Sequence, residues 1–399
     1  MNTNIAYTGN KGDEFPLDCF IKLELKNSGG HDIIIHAISE FSNDTFIREL
    51  AENILSFFEI DNARIEIFDR GASKPILAAR IEAAVKELTK QGKEYLLPLL
   101  EENKYNAQKD NFRISNLYVP GNSPKMLTKA GTHSSDTVTL DLEDSVALDK
   151  KSEARYMVRN ALRGIDFCRA ERAVRINPFP KGLADLKYIV PHNLHLIVIP
   201  KCEYGEHIQS IKKEIDKIKT ERDIKKEIYF LPVIETALGV ENAVEIATAT
   251  SEVAGLAIGL EDYTADIGAQ RTKTAKESFY ARTRIVNACK AAGIQAIDSV
   301  FSDIKDEEGL RITAKESKAL GFDGMGCIHP KQIKVLHESF APEKEEIEKA
   351  KKIINADSEA KKKGLGVASL NSEMIEAPVV KRAKRILDLA VYFGLISGD

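Results

Sequence analysis

The sequence predicts an α/β protein whose main body is a (β/α)8 TIM barrel. A small α+β region precedes it and a helical segment follows. Three observations carry that expectation. From about residue 113 onward, short apolar runs alternate with charged stretches of helical periodicity. Eight such runs occur, and eight strand–helix units are what closes a barrel. The runs are almost continuously apolar, as strands buried on both faces are.

Taken in order, the runs are SNLYV (115–119), TVTLDL (137–142), AVRI (173–176), LIVIP (196–200), IYFLPVI (228–234), GLAIG (255–259), QAID (295–298) and MGCIH (325–329). Segments such as IQSIKKEIDKIKTERD and SFYARTRIVNACKAAG separate them, with apolar residues at helical spacing. Before the barrel, CFIKLEL, HDIIIHA and ARIEIFD read as strands. NDTFIRELAENILSFFEI reads as a helix with Phe46, Leu50, Ile54 and Phe57 on its apolar face and Asn43 or Asp44 as cap. KPILAARIEAAVKEL reads as a second helix. The expected organisation is a first region over 1–90, a partly helical linker over 91–111, the barrel over 112–340 and a helical lid segment over 341–399. In that last segment, EKEEIEKAKK pairs opposite charges four residues apart, as a solvated helix face does.

Composition narrows the function. The 399 residues carry a formal net charge of −4, which gives no electrostatic reason to expect nucleic acid or an acidic membrane as partner. No apolar run is long enough to span a bilayer. The opening MNTNIAYTGNKGDEF has acidic residues and no apolar core, so a secretory signal is not expected. Five scattered cysteines without C-x-x-C spacing argue against a disulfide framework or a zinc ribbon, and a reducing cytoplasm fits them. GNSP and GLGV are isolated glycine turns that match no dinucleotide or P-loop fingerprint.

Barrel active sites lie at the C-terminal ends of the strands. Those ends carry Asp141, Glu143 and Asp144, then Arg175 and Asn177, Lys201, Glu235, Glu261 with Asp262, Asp298 and His329. Glu235 and Asp262 follow adjacent strands, so their carboxylates can converge. Two carboxylates with room for water and substrate oxygens suit Mg2+. Because each also precedes a helix, an N-terminal helix acid is the rival reading. Arg175 sits within an apolar strand and needs an anion. It either pairs with Asp141 and Glu143 or offers its fork to a substrate carboxylate or oxyanion, with those acids as part of the substrate-binding set. His192 and His195 precede the fourth strand, the wrong end for catalysis. For His329, Pro330 follows, and a turn role is as good a reading.

The motifs YVPGNSPKML, LDLEDSVALDKKSEAR, VRIN, PVIETALGVENAVEIA, IGLEDYTADI, GIQAIDSVFSD, GFDGMGCIHPKQI, GLGVASLN and MIEAPVVKRA run in order from about residue 113 to 385. With them the sequence resembles the citrate lyase β subunit and the HpcH/HpaI aldolase superfamily, which includes malyl-CoA and citramalyl-CoA lyases. The resemblance implies a magnesium-dependent barrel with Glu235 and Asp262 as metal ligands and Arg175 on the acid's carboxylate and carbonyl oxygen. It implies that Glu376, where the family usually has aspartate, acts as acid or base from the C-terminal segment. It also implies that Arg113 (in RISNLYVPG) lies near the CoA or acyl-carrier arm. The expected reaction cleaves a 3-hydroxyacyl thioester of the citryl, citramalyl or malyl type to an acetyl thioester and a 2-oxo acid. Homo-oligomerisation comes from the same resemblance.

IFDRGASKPILAARIEAAV is similar to the C-terminal half of the citrate lyase acyl carrier protein, the γ subunit. In that family a serine before an aspartate and a strand carries a CoA-derived arm. Here Pro16 stands at that place, and the closest hydroxyls, Thr8 and Ser28, lie outside the motif. Loss of the attachment point favours a free CoA thioester as substrate. The alternatives are a β-type subunit served by a separate carrier or transferase subunit, and a non-catalytic assembly scaffold, against which the retained Arg175, Glu235 and Asp262 argue.

Overall fold

A computed structural model describes residues 4–12, 14–38, 42–272, 274–362, 368–370 and 373–398. The chain divides into two compact units, Met1–Lys334 and Val335–Asp399.

The first unit opens with β1 (Ile5–Thr8), β2 (Cys19–Leu25), β3 (His31–Ala37), α1 (Asp44–Phe57), β4 (Ala63–Asp69) and α2 (Lys74–Thr89). The sheet order is β1-β2-β4-β3, with only the β3–β4 pair parallel. In β4 burial alternates strictly, so Ala63, Ile65 and Ile67 face the helices. Asn43 caps α1: its side-chain oxygen accepts the Phe46 amide at 3.1 Å. The buried stripe of α1 is Ile47, Leu50, Ala51, Ile54 and Leu55, whereas Phe57 is exposed. The expected face was therefore rotated by about one residue. Aromatics at both ends of the helix imitated the period, while the smaller Ala51 fits closer to the sheet. β1 went unnoticed in the sequence because four residues are too short to show alternation.

The barrel strands are β5 (Ser115–Pro120), β6 (Thr137–Asp141), β7 (Glu171–Arg175), β8 (Leu196–Ile199), β9 (Tyr229–Ile234), β10 (Gly255–Ile258), β11 (Gln295–Asp298) and β12 (Gly324–Cys327). All neighbours are parallel, and β12 pairs with β5 in the register Met325↔Ser115 and Cys327↔Leu117, which closes the barrel. Between the strands run α3 (Pro124–Lys129), α4 (Lys151–Gly164), α5 (Leu183–Ile189), α6 (Gly205–Glu221), α7 (Ala237–Glu241), α8 (Ala243–Ala247), α9 (Leu260–Asp266), α10 (Phe279–Ala292) and α11 (Glu307–Leu320), and α12 (Pro330–Phe340) follows β12. Ala173, Leu196, Val198, Leu231, Ala257 and Ile297 are among the side chains that fill the core.

The amino-terminal region shares one compact unit with the barrel. α2 is buried without interruption from Pro75 to Val85. A helix covered on one side only would show a stripe. Here the sheet takes one face and α4 the other. Two arginine networks cross that seam. Arg80 forks onto Asp18 (3.1 and 2.9 Å) and reaches Glu153 of α4. Arg159 of α4 forks onto Glu82 of α2. All five of these side chains are buried. Close backbone approach completes the seam: a Cβ on Gly164 would lie 2.9 Å from the Pro75 ring.

Residues 91–111, expected as a partly helical linker, hold only the short 3-10 turn Glu101–Asn103. Lacking an apolar stripe, this segment is instead bonded along the N-terminal end of the barrel. Asn103 donates to the Ile165 carbonyl at 2.6 Å, and the Tyr105 hydroxyl donates to that of Ala170 at 2.6 Å.

The second unit contains α13 (Lys344–Lys362), β13 (Ala368–Leu370), β14 (Glu373–Ile375) and α14 (Ala377–Tyr392). Its core includes Ala350, Ile353, Ala360, Ile375, Val380 and Ala383. The motif GLGVASLN lies largely outside the described residues. Among the described residues, no helix is long and apolar enough to cross a membrane.

Candidate active site

A cavity of about 360 Å3 opens at the C-terminal ends of the barrel strands. Asp141, Arg175, Glu235, Asp262 and Tyr118 are among its lining residues. The order of parallel strands puts them there. β6 ends on Asp141 and β7 on Arg175, which pair in register; Glu235 follows β9, and Asp262 lies in the first turn of α9 after β10.

Arg175 is the centre of the arrangement. Its Nε donates to Asp141 Oδ1 at 2.7 Å and its Nη2 to Asp141 Oδ2 at 2.6 Å. Nη1 lies 3.1 Å from Glu143. The guanidinium also sits over the Tyr118 ring, 5.3 Å from its centroid. Burial alone would lower the guanidinium pKa, but the Asp141 bonds more than reverse this and raise it. Asp141 is likewise held below its ordinary range: burial opposes ionisation, and Arg175 overcomes it. Asp141 also accepts from the amides of Glu143 (2.8 Å) and Ser145 (3.1 Å). Of the two sequence readings of Arg175, the pairing with Asp141 and Glu143 is what the structure shows. The acids orient the arginine, and among the described residues three of its five N–H donors have partners.

Lys201, just past β8, binds Glu143 at 3.0 Å through Nζ, and its backbone amide donates to Glu235 Oε2 at 2.8 Å. Its φ of +50° turns the chain so that this amide points at the acid. Burial would lower the Lys201 ammonium pKa, but Glu143 and Asp144 raise it. Glu235 is 4% exposed. Burial lifts its carboxyl to about 7; the Lys201 amide opposes that rise and the Asp262 carboxylate adds to it. Gly259 makes room for it, since a Cβ there would meet Glu235 Oε1 at 2.5 Å. Asp262 is half-buried, and among the described residues no group hydrogen-bonds its carboxylate.

These two acids fit a hard divalent cation. One is buried without a neutralising partner, the other is free, and both border the same cavity. Among the described residues no cluster of three or more His, Cys, Asp or Glu side chains is arranged for a metal. A two-carboxylate site completed by water and substrate oxygens suits Mg2+ rather than zinc.

Other expected residues are placed elsewhere. The assignment of Arg113 to a CoA or carrier arm is corrected. Arg113 is 1% exposed, forks onto Glu171 (2.7 and 2.7 Å) and donates to Gln295 at 3.2 Å, at the N-terminal end of the barrel. Its motif reaches the cavity at Tyr118, Val119 and Pro120, and the intervening strand carries the chain about 20 Å. Asp298 is occupied by Arg282 (2.7 Å) and Ser317 (2.7 Å). Glu261 pairs with Arg271. His329 has the turn role: its Nδ1 accepts the Lys331 amide at 3.1 Å. His195 is buried against Arg172. Glu376 occupies the N-cap position of α14 in the second unit, without a side-chain capping bond, and is exposed. Sequence reasoning missed Tyr118, whose buried hydroxyl is pushed up to about 12 by burial. Its signal was present, because residues i and i+2 of β5 share a face and Tyr118 heads the YVPG turn at the mouth.

Residues 114–330 match the HpcH/HpaI aldolase/citrate lyase family. The chain belongs to that family. Residues 16–88 separately match an acyl carrier family described as malonate decarboxylase delta subunit (MdcD). The citrate lyase subunit beta of Leuconostoc mesenteroides is 40% identical over 70% of this chain and 94% of that protein. The mitochondrial citramalyl-CoA lyase of Rattus norvegicus is 36% identical over 69% of this chain and 85% of its own length. Among solved structures, protein CitE of Mycobacterium tuberculosis in complex with magnesium, acetoacetate and coenzyme A matches with a TM-score of 0.57 at 29% identity, covering 70% of this chain and 98% of that one. The same protein with magnesium and pyruvate gives 0.52 at 27% identity, over 70% and 100%. Carbon–carbon lyase activity comes with membership of this family.

Proposed function

We propose that this chain is a magnesium-dependent lyase that cleaves a 3-hydroxyacyl CoA thioester, of the citryl, citramalyl or malyl type, to an acetyl thioester and a 2-oxo acid. The carrying observation is the convergence of Arg175, fixed by Asp141, with Glu235 and Asp262 in one cavity. Relatives of this chain are lyases of such acyl groups by name, and a solved neighbour holds magnesium with acetoacetate and coenzyme A.

Glu235 and Asp262 would hold Mg2+, which supplies Lewis-acid stabilisation of charge on the substrate's oxygen when bound. Arg175 offers its two remaining donors to the carboxylate of the oxo-acid half, and they neutralise charge there as the bond breaks. Glu143 and Lys201 keep the arginine and the Glu235 loop in place. As the carbon–carbon bond breaks, its electron pair leaves with the acetyl unit as an enolate, and the hydroxyl of the other carbon gives its proton to solvent, from which the proton donor is recharged. The enolate carbon then takes a proton, and Glu376 is the proposed donor. Support for that role is the family resemblance of MIEAP, with Glu one methylene longer than the usual Asp.

A second reading keeps the chemistry and changes the delivery, with the acyl group borne by a carrier or transferase subunit on another chain. The acyl-carrier match of residues 16–88 favours it, and Pro16 at the attachment position favours the free thioester. A cytoplasmic homo-oligomer completes the proposal. Five free cysteines support the reducing compartment. The test is acetyl-CoA release from malyl-, citramalyl- and citryl-CoA with Mg2+. Turnover of one names the acyl group, and failure of all three with the metal bound removes the free-thioester reading.

A further inference from the structure

We propose that the amino-terminal domain is a carrier-type domain permanently docked in cis, which occupies the barrel's carrier-receiving face and so restricts the enzyme to free CoA thioesters. This rests on the lyase reading above and narrows its substrate class.

The argument starts from where the docked domain puts its lost attachment point. α4 begins directly after the β6 loop that holds Asp141 and Glu143, so its first turn lies at the rim of the cavity. Lys151 in that turn donates to the Leu142 and Glu143 carbonyls. Against the same turn lies the amino-terminal domain's loop between β1 and β2. The Gly9 amide donates to Glu153 at 2.9 Å, and Lys150 Nζ reaches the Gly9 carbonyl at 3.5 Å. Asp18, at the other end of the loop, holds Arg80, which also holds Glu153. Pro16, the attachment position, is exposed on this loop two residues before Asp18. A domain of the carrier family is thus held with the loop that carries its arm position against the first turn of α4. The arm itself has no hydroxyl to hang from.

The seam is built to stay closed. A carrier that visits several sites needs an interface that both partners can expose to water. Here Asp18, Arg80, Glu82 and Arg159 are fully buried, and α2 keeps eleven consecutive residues covered. Undocking would expose all of this at once. The acyl group must therefore arrive on an arm that is not attached to a protein domain, because a second carrier finds α4 already taken.

Two measurements on the full chain test this. Cys168 is the exposed thiol, and the other four cysteines are buried. Nitroxides on Cys168 and on Pro16→Cys should give one narrow distance population that survives salt of about 1 M; a broad distribution would overturn fixed docking. A fluorescent stand-alone acyl carrier protein of this family, bearing its arm, should show no saturable binding, and saturable binding would overturn the block. If the free thioester is cleaved, the same acyl group on that carrier should be turned over at least about 100-fold less efficiently, and any smaller ratio counts against the proposal. If neither is cleaved, the lyase reading falls, while the distance and binding data still decide the docking.

Discussion

Arg175 and Asp141 end adjacent parallel strands and meet in a two-pronged hydrogen bond, 2.7 and 2.6 Å long, at the floor of the cavity. Asp141 therefore holds the arginine in a fixed orientation. Arg175→Lys keeps the charge and loses the fork, so kcat/KM should fall by about 100-fold or more. Asp141→Asn keeps the shape and weakens one prong, with an expected loss of about tenfold. Steady-state kinetics checks both. Equal losses would mean that Asp141 touches substrate itself.

Glu235→Ala and Asp262→Ala should each abolish Mg2+ binding and turnover while leaving the fold intact. Titration calorimetry, circular dichroism and the acetyl-CoA assay together decide. Gly259→Ala gives a subtler version, because its Cβ would press on Glu235 at 2.5 Å. It should weaken metal affinity by about tenfold or more with little change in secondary structure. Unchanged affinity would show that the carboxylate moves aside freely.

Glu376→Gln should lower kcat by about 100-fold or more and shift KM little, since it removes a proton donor and no binding contact. An unchanged kcat would assign the proton transfer to another group.

Glu82 and Arg159 form a fully buried pair across the seam between α2 and α4. Glu82→Leu strands the arginine, and the stability loss should be about 3–5 kcal/mol by urea unfolding. Adding Arg159→Met should restore most of it, because an apolar pair of similar volume replaces the ionic one. No recovery in the double variant would assign the loss to packing.

Lys226 bonds to Asn193 (2.9 Å) and to the Tyr105 carbonyl (3.2 Å) on the residue 91–111 segment. Burial lowers its pKa to about 7, and Arg172 lowers it further. An unfolded lysine titrates near about 10.4. Between these values the unfolded chain binds the extra proton, so this group makes stability rise with pH from about 7 to about 10. Thermal melts across that range should show a steeper rise for the wild type than for Lys226→Met. Parallel curves would place Lys226 in solvent.

The fold was legible because both faces of each barrel strand are buried. That makes eight apolar runs stand out between amphipathic helices, and the ends of those runs then point to the mouth. Asp141, Arg175, Glu235 and Asp262 could be placed at the mouth for this reason, the first two at the ends of apolar runs and the other two one and three residues past one. Arg113 was misleading because its motif touches the mouth while the residue itself starts the strand, and linear proximity says nothing about which end of a strand is meant. Tyr118 was hidden by being apolar enough to pass for core.

By itself, then, the sequence determined the barrel, the direction of its strands and the acids and arginine at their ends, since periodicity and strand polarity are local properties of the chain. Only the tertiary structure decided where the carrier-like domain lies. Nothing local in the sequence marks Glu82, Glu153 and Arg159 as buried. They become a buried lock only when two helices separated by some sixty residues meet, and no local pattern records that meeting.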